Sequence, residues 1–228
     1  MHRSGSSALT GTLNILGFDL GVDLMPSNEK VNPKGFFENL AFHQINENLL
    51  HQIGTSWHDL FFNEAMLRES ADVAAIEKTI KREFNNDKIF IIKDPRLALL
   101  FPFYERALKN LGIEIRVIIS IRHPLEVSKS LTRRDSFSQE KGLLLWSLNL
   151  LSAEKFSRNY PRLFVHFNDL LASPEDIIIQ VEELLGVNLQ AKFFKNSRLI
   201  SDFLEPSLKH FNEDLNAASK KLPKVIQN

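Results

Sequence analysis

The period of apolar positions changes several times along this 228-residue chain. Leu9, Leu13 and Leu16 repeat at helical spacing directly behind a short polar turn. Phe42, Ile45, Leu49 and Ile53 form a second such set, and Val73, Ile76, Ile80 and Phe84 a third. Steps of three and four residues place each set on one face of a helix. Phe103, Ala107 and Leu111 mark another helix, with Pro102 expected near its first turn and Gly112 at its end. Ile177, Ile178, Val181, Leu184 and Leu185 line the apolar face of one that follows Ser173-Pro174-Glu175 and stops at Gly186. Trp146, in a Leu-rich helical stretch, reads as core. Three runs behave differently. Lys88–Ile92 and Ile113–Ile119, the second more apolar toward its end, read as strands, with Arg162–Phe167 a weaker case; apolar runs without strict alternation suit strands covered on both faces. Strands alternating with helices predict an α/β fold with a mainly parallel central sheet and right-handed crossovers. Ligands in such folds sit beyond the carboxyl ends of the strands, so the loops after strands carry the chemistry.

Composition narrows the classes. With 43% hydrophobic residues, the chain can bury one sizeable core, and residues 1–228 are expected to form a single domain. Lys plus Arg total 28 and Asp plus Glu total 28, so the basic excess of a nucleic-acid binder is missing and any phosphate-binding charge must be local. The absence of cysteine excludes disulfides, thiolate metal sites and a cysteine nucleophile, and fits a reducing, cytoplasmic setting. The most apolar run, Leu143–Leu151, is interrupted by Ser147 and Asn149 and is too short to span a bilayer. No signal-peptide pattern opens the sequence, and a soluble protein is expected.

Two segments suit an anion. His2-Arg3-Ser4-Gly5-Ser6-Ser7-Ala8 is a small polar turn that opens a helix, where backbone N–H groups and the helix dipole converge. Arg3 adds a full charge, and Ser6 and Ser7 add hydroxyls. The turn lacks the GxxxxGK[ST] pattern and the lysine of a nucleoside triphosphatase; the competing reading is a plain serine helix cap. The second segment leaves the strongest strand as Ile121-Arg122-His123-Pro124, with Ser130 eight residues after Arg122 and about two turns into the next helix. An arginine fork and a hydroxyl placed this way converge on one phosphate. Lys129, Arg133 and Arg134 add positive charge. Against this stands an ordinary strand-to-helix turn whose arginine pairs with a surface carboxylate.

Arg3-Ser4-Gly5-Ser6-Ser7 resembles the 5′-phosphosulfate loop of sulfotransferases, and Arg122-x-Pro-x-x-Val-x-x-Ser130 resembles their 3′-phosphate motif, in the family's order and about 120 residues apart. The likeness to bacterial sulfotransferases extends from the first residues to about Gly186. It implies a P-loop-like three-layer fold, 3′-phosphoadenosine 5′-phosphosulfate as donor, and no metal. Arg3, Ser4, Gly5, Ser6, Ser7, Ala8, Arg122 and Ser130 would hold that donor. Sulfonate transfer needs a base beside the acceptor and fixed positive charge at the leaving oxygen. Glu38, behind Asn32-Pro33-Lys34-Gly35-Phe36-Phe37, is the expected base; burial beside Phe36 and Phe37 would raise its proton affinity above the ordinary value of about 4.3. A first-turn dipole partner is the plainer role. Lys93, in Lys93-Asp94-Pro95-Arg96, resembles the leaving-group lysine of tyrosylprotein-type sulfotransferases and would act with Arg3. Asp94 would orient Lys93 or Arg96, and Arg96 would grip an anionic acceptor or make a surface salt bridge. The acceptor, a hydroxyl or amine, is left open among small molecules, carbohydrates, lipids and peptides.

The remaining residues carry weaker signals. His43, His51 and His58 show no metal-ligand spacing and read as surface or site-lining. His2 and His123 adjoin the two phosphate motifs. Trp57, Phe61 and Phe62 suit an acceptor pocket or the core; Arg198, Lys209 and His210 suit a loop over the adenosine. P-loop-like folds place a buried strand ahead of the phosphate loop, yet only Met1 and His2 precede Arg3. A missing first strand is therefore expected, with unpaired backbone and a hole in the core. Two other readings compete: a nucleotide or small-molecule kinase with a degenerate phosphate loop, and a truncated, inactive sulfotransferase relative.

Overall fold

The computed structural model describes residues 1–29, 31–61, 73–84 and 89–205. In chain order the elements are α1 (Ser6–Ile15), α2 (Leu40–Gln52), α3 (Ala74–Glu83), α4 (Leu97–Asn110), β1 (Val117–Ile121), α5 (Pro124–Asp135), α6 (Gln139–Ser157), β2 (Arg162–His166), α7 (Phe167–Ala172), α8 (Pro174–Leu185) and α9 (Gln190–Phe203). Local chemistry sets many of the boundaries. Asn39 caps α2, its side chain accepting from the N–H groups of Ala41 and Phe42. Pro124 and Pro174 open α5 and α8, where a missing N–H costs nothing, and Gly186 closes α8. Helix α4 starts at Leu97, so Pro102 lies in its interior rather than near its first turn as expected.

The fold is mixed α/β, mostly helical, with a small parallel sheet. β1 and β2 pair in parallel, Val117 opposite Arg162 and Ile121 opposite His166, and α5 and α6 make the crossover between them. The apolar faces bury into two clusters. One joins α1, β2, α7, α8 and α9 through residues such as Leu13, Val165, Ile178 and Ile200. The other joins α2, α3 and α4 through Phe42, Leu50, Ile76 and Phe103.

A larger central sheet is not formed among the described residues. The expected strand at 113–119 is assigned at Val117–Ile121. The expected strand at 88–92 (Lys88 lies outside the described residues) makes one parallel bridge, Phe90 with Asp19. There the Asp19 N–H donates to the Ile89 carbonyl at 3.2 Å, and the Ile91 N–H donates to the Asp19 carbonyl at 2.8 Å. Residues 89–92 and residues 117–120 of β1 both line a groove of about 970 Å³. Strands must approach to about 4.8 Å to share a ladder, so these two edges stay unjoined. Met1 also lines the groove. Burial and the nearby Lys93 charge push its α-amino pKa down to about 5, against the pull of Asp94 and Glu38.

Candidate functional site

The N-terminal turn is shaped by two left-handed residues, Arg3 (φ 64) and Gly5 (φ 88). Such a backbone costs a non-glycine residue about 1–3 kcal/mol and persists where its surroundings enforce it. At Gly5 a Cβ would lie 2.3 Å from Cδ2 of Phe167, so no side chain fits. Helix α1 follows at once, and the Leu9 N–H is already bonded to the Gly5 carbonyl at 3.1 Å. The N–H groups of Ser6, Ser7 and Ala8 are left as the first-turn donors of α1. Ser4 is buried; its hydroxyl donates to the Met1 carbonyl (2.8 Å) and lies 3.0 Å from the Ser120 hydroxyl, which pins the turn to β1.

The second phosphate-type segment meets this turn. The Arg3 Nε donates to the buried Ser130 hydroxyl at 2.7 Å, across 127 residues of sequence, and its Nη1 donates to the Val31 carbonyl at 3.2 Å. Burial pushes the Arg3 pKa down to about 10, helped by the fields of Arg134, Arg122 and Arg133, which outweigh Asp135. Four guanidinium groups therefore share one region. Arg122 is buried, its Nε donating to Glu126 at 2.7 Å and its guanidinium lying 4.9 Å from the Phe167 ring centre. The partner of Arg122 is thus a buried carboxylate in the first turn of α5, not a surface one. Its Nη2 is buried without a hydrogen-bond partner. Trp146, expected as core, is half-buried and donates from Nε1 to the Arg122 carbonyl at 2.9 Å, fixing the turn out of β1.

Glu38 and Lys93 form the adjoining half. Lys93 Nζ donates to Glu38 Oε1 at 2.6 Å, to the Phe36 carbonyl at 2.9 Å and to the Ser7 hydroxyl at 3.2 Å. Both side chains are almost fully buried. Burial is the strongest single influence on Glu38 and pulls its pKa up. His43, the charge and hydrogen bond of Lys93, and Arg96 together outweigh it and hold the carboxyl below its ordinary range. The expected rise from Phe36 and Phe37 is overturned because a cation sits against the carboxylate. Asp94 pairs with Arg96 at 3.0 Å, and Arg96 also binds Glu47. Arg96 itself is buried, paired with the buried Asp94 and with the partly exposed Glu47.

Three ligand-type side chains, Glu38, His43 and Asp94, place donor atoms within 4.8 Å of one another. His43 Nδ1 lies 3.9 Å from both carboxylates. The set has the residue types to ligate a cation, but Lys93 and Arg96 already supply its positive charge. His43, read from the sequence as surface or site-lining, lines the site, but the sequence did not pair it with Glu38 and Asp94. Its neighbours come from distant segments, and no spacing announces them.

The other candidates disperse. His2 packs on Trp57 with ring centres 4.3 Å apart, and Arg134 lies 5.2 Å over the Trp57 ring, so both aromatic groups border the arginine region. Burial, Arg134 and Arg96 push the His2 pKa well down. Phe61 is exposed at 92%, and His51 is exposed; neither lines the site. Arg198 projects into solvent, 4.0 Å from Asp202. Phe62, Lys209 and His210 lie outside the described residues. No protein-family model, curated protein or solved structure matches the chain. No helix among the described residues is long and apolar enough to cross a membrane.

Proposed function

We propose that this chain is a sulfotransferase of P-loop-like fold that moves a sulfonate group from 3′-phosphoadenosine 5′-phosphosulfate to an acceptor hydroxyl or amine. One observation carries the reading: the 2.7 Å contact between Arg3 and Ser130, which joins the two phosphate-type motifs inside a cluster of arginines. A concentration of guanidinium groups whose fields add to burial in depressing the proton affinity of Arg3 favours a polyanion between them. The buried, unpartnered Nη2 of Arg122 fits the same need, since a buried donor without an acceptor is costly.

Arg3, Ser4, Gly5, Ser6, Ser7 and Ala8 would hold the 5′-phosphosulfate, and Arg122 with Ser130 the 3′-phosphate. When bound, the donor supplies a sulfonate whose bond to the 5′-phosphate oxygen breaks as the acceptor oxygen or nitrogen bonds to sulfur. The chain's own groups manage the proton and the charge. Lys93 is shared between Ser7 of the loop and Glu38. Negative charge at the loop draws the ammonium toward Ser7 and away from Glu38. The buried Glu38 carboxylate then loses the cation that holds its proton affinity down, and becomes the stronger base. Glu38 takes the acceptor proton, while Lys93 and Arg3 neutralise the phosphate oxygen that receives the electron pair. The acceptor lies among small molecules, carbohydrates, lipids and peptides.

Calorimetry with adenosine 3′,5′-bisphosphate, against ATP with magnesium, tests the reading. The bisphosphate is expected to bind, Ser130→Ala to weaken it by about tenfold, and ATP to bind poorly. Preferential binding of ATP with magnesium would overturn the assignment.

A further inference from the structure

Glu38 reaches Lys93 from a loop, residues 32–38, whose far side is fastened to the end of α9. We propose that Lys34, Phe37 and Phe203 form a latch that aims Glu38, which makes Lys34 and Phe203 positioning residues of the site. The latch itself stands on geometry, and its bearing on proton transfer rests on the sulfotransferase reading of Glu38.

The polar half of the latch is a helix cap made from a distance. Lys34 Nζ donates to the carbonyls of Asp202 and Phe203, each at 2.9 Å, and pairs with Glu205 at 3.1 Å. Carbonyls in the last turn of a helix have no intrahelical donor, and α9 carries no basic residue of its own there. Lys34 therefore supplies both the hydrogen bonds and the positive charge that suit a helix C-terminus. The Lys34 ammonium also lies 5.7 Å from the Phe203 ring centre.

The apolar half is an aromatic wedge. Phe37 and Phe203 meet edge to face with ring centres 5.7 Å apart. Both rings occupy the space beside Gly11, where a Cβ would overlap Cζ of Phe203 and lie 2.8 Å from Cζ of Phe37. Gly11 stands inside α1, where only proline is a poorer helix former, so the helix yields propensity to seat the pair. Phe37 is held at φ 56, a left-handed backbone that bulky side chains rarely adopt. Glu38 is the next residue, so that backbone sets its direction. On the site side, the Phe36 carbonyl accepts from Ser7 and from Lys93. The loop is thus gripped on both sides of its strained residue. Releasing the α9 side lets Phe37 relax and carries Glu38 away from its cation.

Phe203→Ala and Lys34→Met in the full chain test this, with Lys34→Arg as the conservative variant. Lys34→Met keeps the side-chain length and stays readable where Phe203→Ala does not fold. In the parent, burial pulls the Glu38 carboxyl up while His43, Lys93 and Arg96 together hold it down. An NMR titration of that carboxyl is expected to shift upward, toward the ordinary value, in both loosened variants and to stay at the parent's position in Lys34→Arg. The Met25 N–H donates to the Glu38 carbonyl at 2.7 Å, and its exchange is expected to quicken about tenfold. Exchange of the Val117 N–H, bonded to Pro161, is expected to keep the parent's rate. Parent values for the titration and for Met25 in both variants overturn the proposal. Equal quickening at Val117 does so too, because it marks general loosening rather than release of one loop. Adenosine 3′,5′-bisphosphate is expected to bind parent and variants alike; if it binds none of them, the sulfotransferase reading falls while the titration and exchange still decide the latch.

Discussion

Replacing Lys93 by methionine keeps the length of the side chain and deletes its charge. In the parent, Lys93 and Glu38 are 8% and 7% exposed and 2.6 Å apart. Removing one partner of a buried pair costs about 3–5 kcal/mol, mostly because the other charge is left uncompensated. Arg96 and His43, each 3.9 Å from Glu38 Oε2, retain part of the compensation, which places the expected loss near the lower bound, about 3 kcal/mol. The Ser7 hydroxyl and the Phe36 carbonyl also lose a donor. The pH dependence has a defined sign. In the parent the Glu38 carboxyl is depressed below 4.5, so its contribution is present above that value and fades as pH falls through the folded-state pKa. In the variant burial acts without that cation, so the depression of the carboxyl weakens and less stability is gained as pH rises. The gap between the two proteins should therefore be widest near pH 7 and narrow below about pH 4.5. Urea unfolding followed by circular dichroism measures it, together with Glu38→Gln and the double variant. The double variant should be more stable than the sum of the single losses predicts, by about 1–3 kcal/mol. A Lys93→Met protein within about 1 kcal/mol of the parent at pH 7, or strict additivity of the two losses, would refute the view that this ion pair holds Glu38 as a weak base.

Two further outcomes follow from local geometry. The Met1 amine has a pKa near 5 in the fold against 8.0 when free, so its contribution should be complete above about pH 8 and be lost as pH falls toward 5, by at most about 4 kcal/mol; Nα-acetylation should flatten that part of the stability–pH curve, and matching curves for acetylated and free protein would rule it out. A Cβ at Gly142 would lie 2.9 Å from Cα of the buried Ser128, so Gly142→Ala should force α5 and α6 apart and cost about 1–2 kcal/mol despite alanine's better helix propensity, a loss readable as a lower urea midpoint with unchanged slope.

What could be read from the sequence was mostly local. The ends of α8 follow from Pro174 and Gly186 acting on their own neighbourhoods, whereas Glu38, offered as a first-turn residue of α2, lies ahead of the Asn39 cap. Helix α4 was less legible, because a proline five residues into a helix can be carried by packing, and Leu99, Leu100 and Phe103 are all fully buried there. The run at 89–92 has strand chemistry, but a ladder needs a partner at hydrogen-bonding distance, and the partner is set by the whole chain. The same division runs through the site. Arg3, Arg122 and Ser130 announce themselves through short motifs. Glu38 and the Lys93-Asp94-Pro95-Arg96 segment also stand out in the sequence, but their meeting with His43 is not legible there, since the cluster is assembled from a turn, a helix and the segment after residue 92. Glu38 shows the cost of reading neighbours only along the chain: Phe36 and Phe37 are adjacent in sequence, whereas Lys93, which decides its charge, is 55 residues away.

The chain has two tryptophans, and both stand at the rim of the arginine cluster, one beneath Arg134 and the other hydrogen-bonded to the main chain of Arg122. Indole emission responds to nearby charge and to the bond made by its N–H, so the protein carries a built-in optical gauge of that region. Titrating any anion into the cleft should alter the intrinsic fluorescence without a label, and Trp57→Phe and Trp146→Phe would separate the signal from the loop side and the helix side.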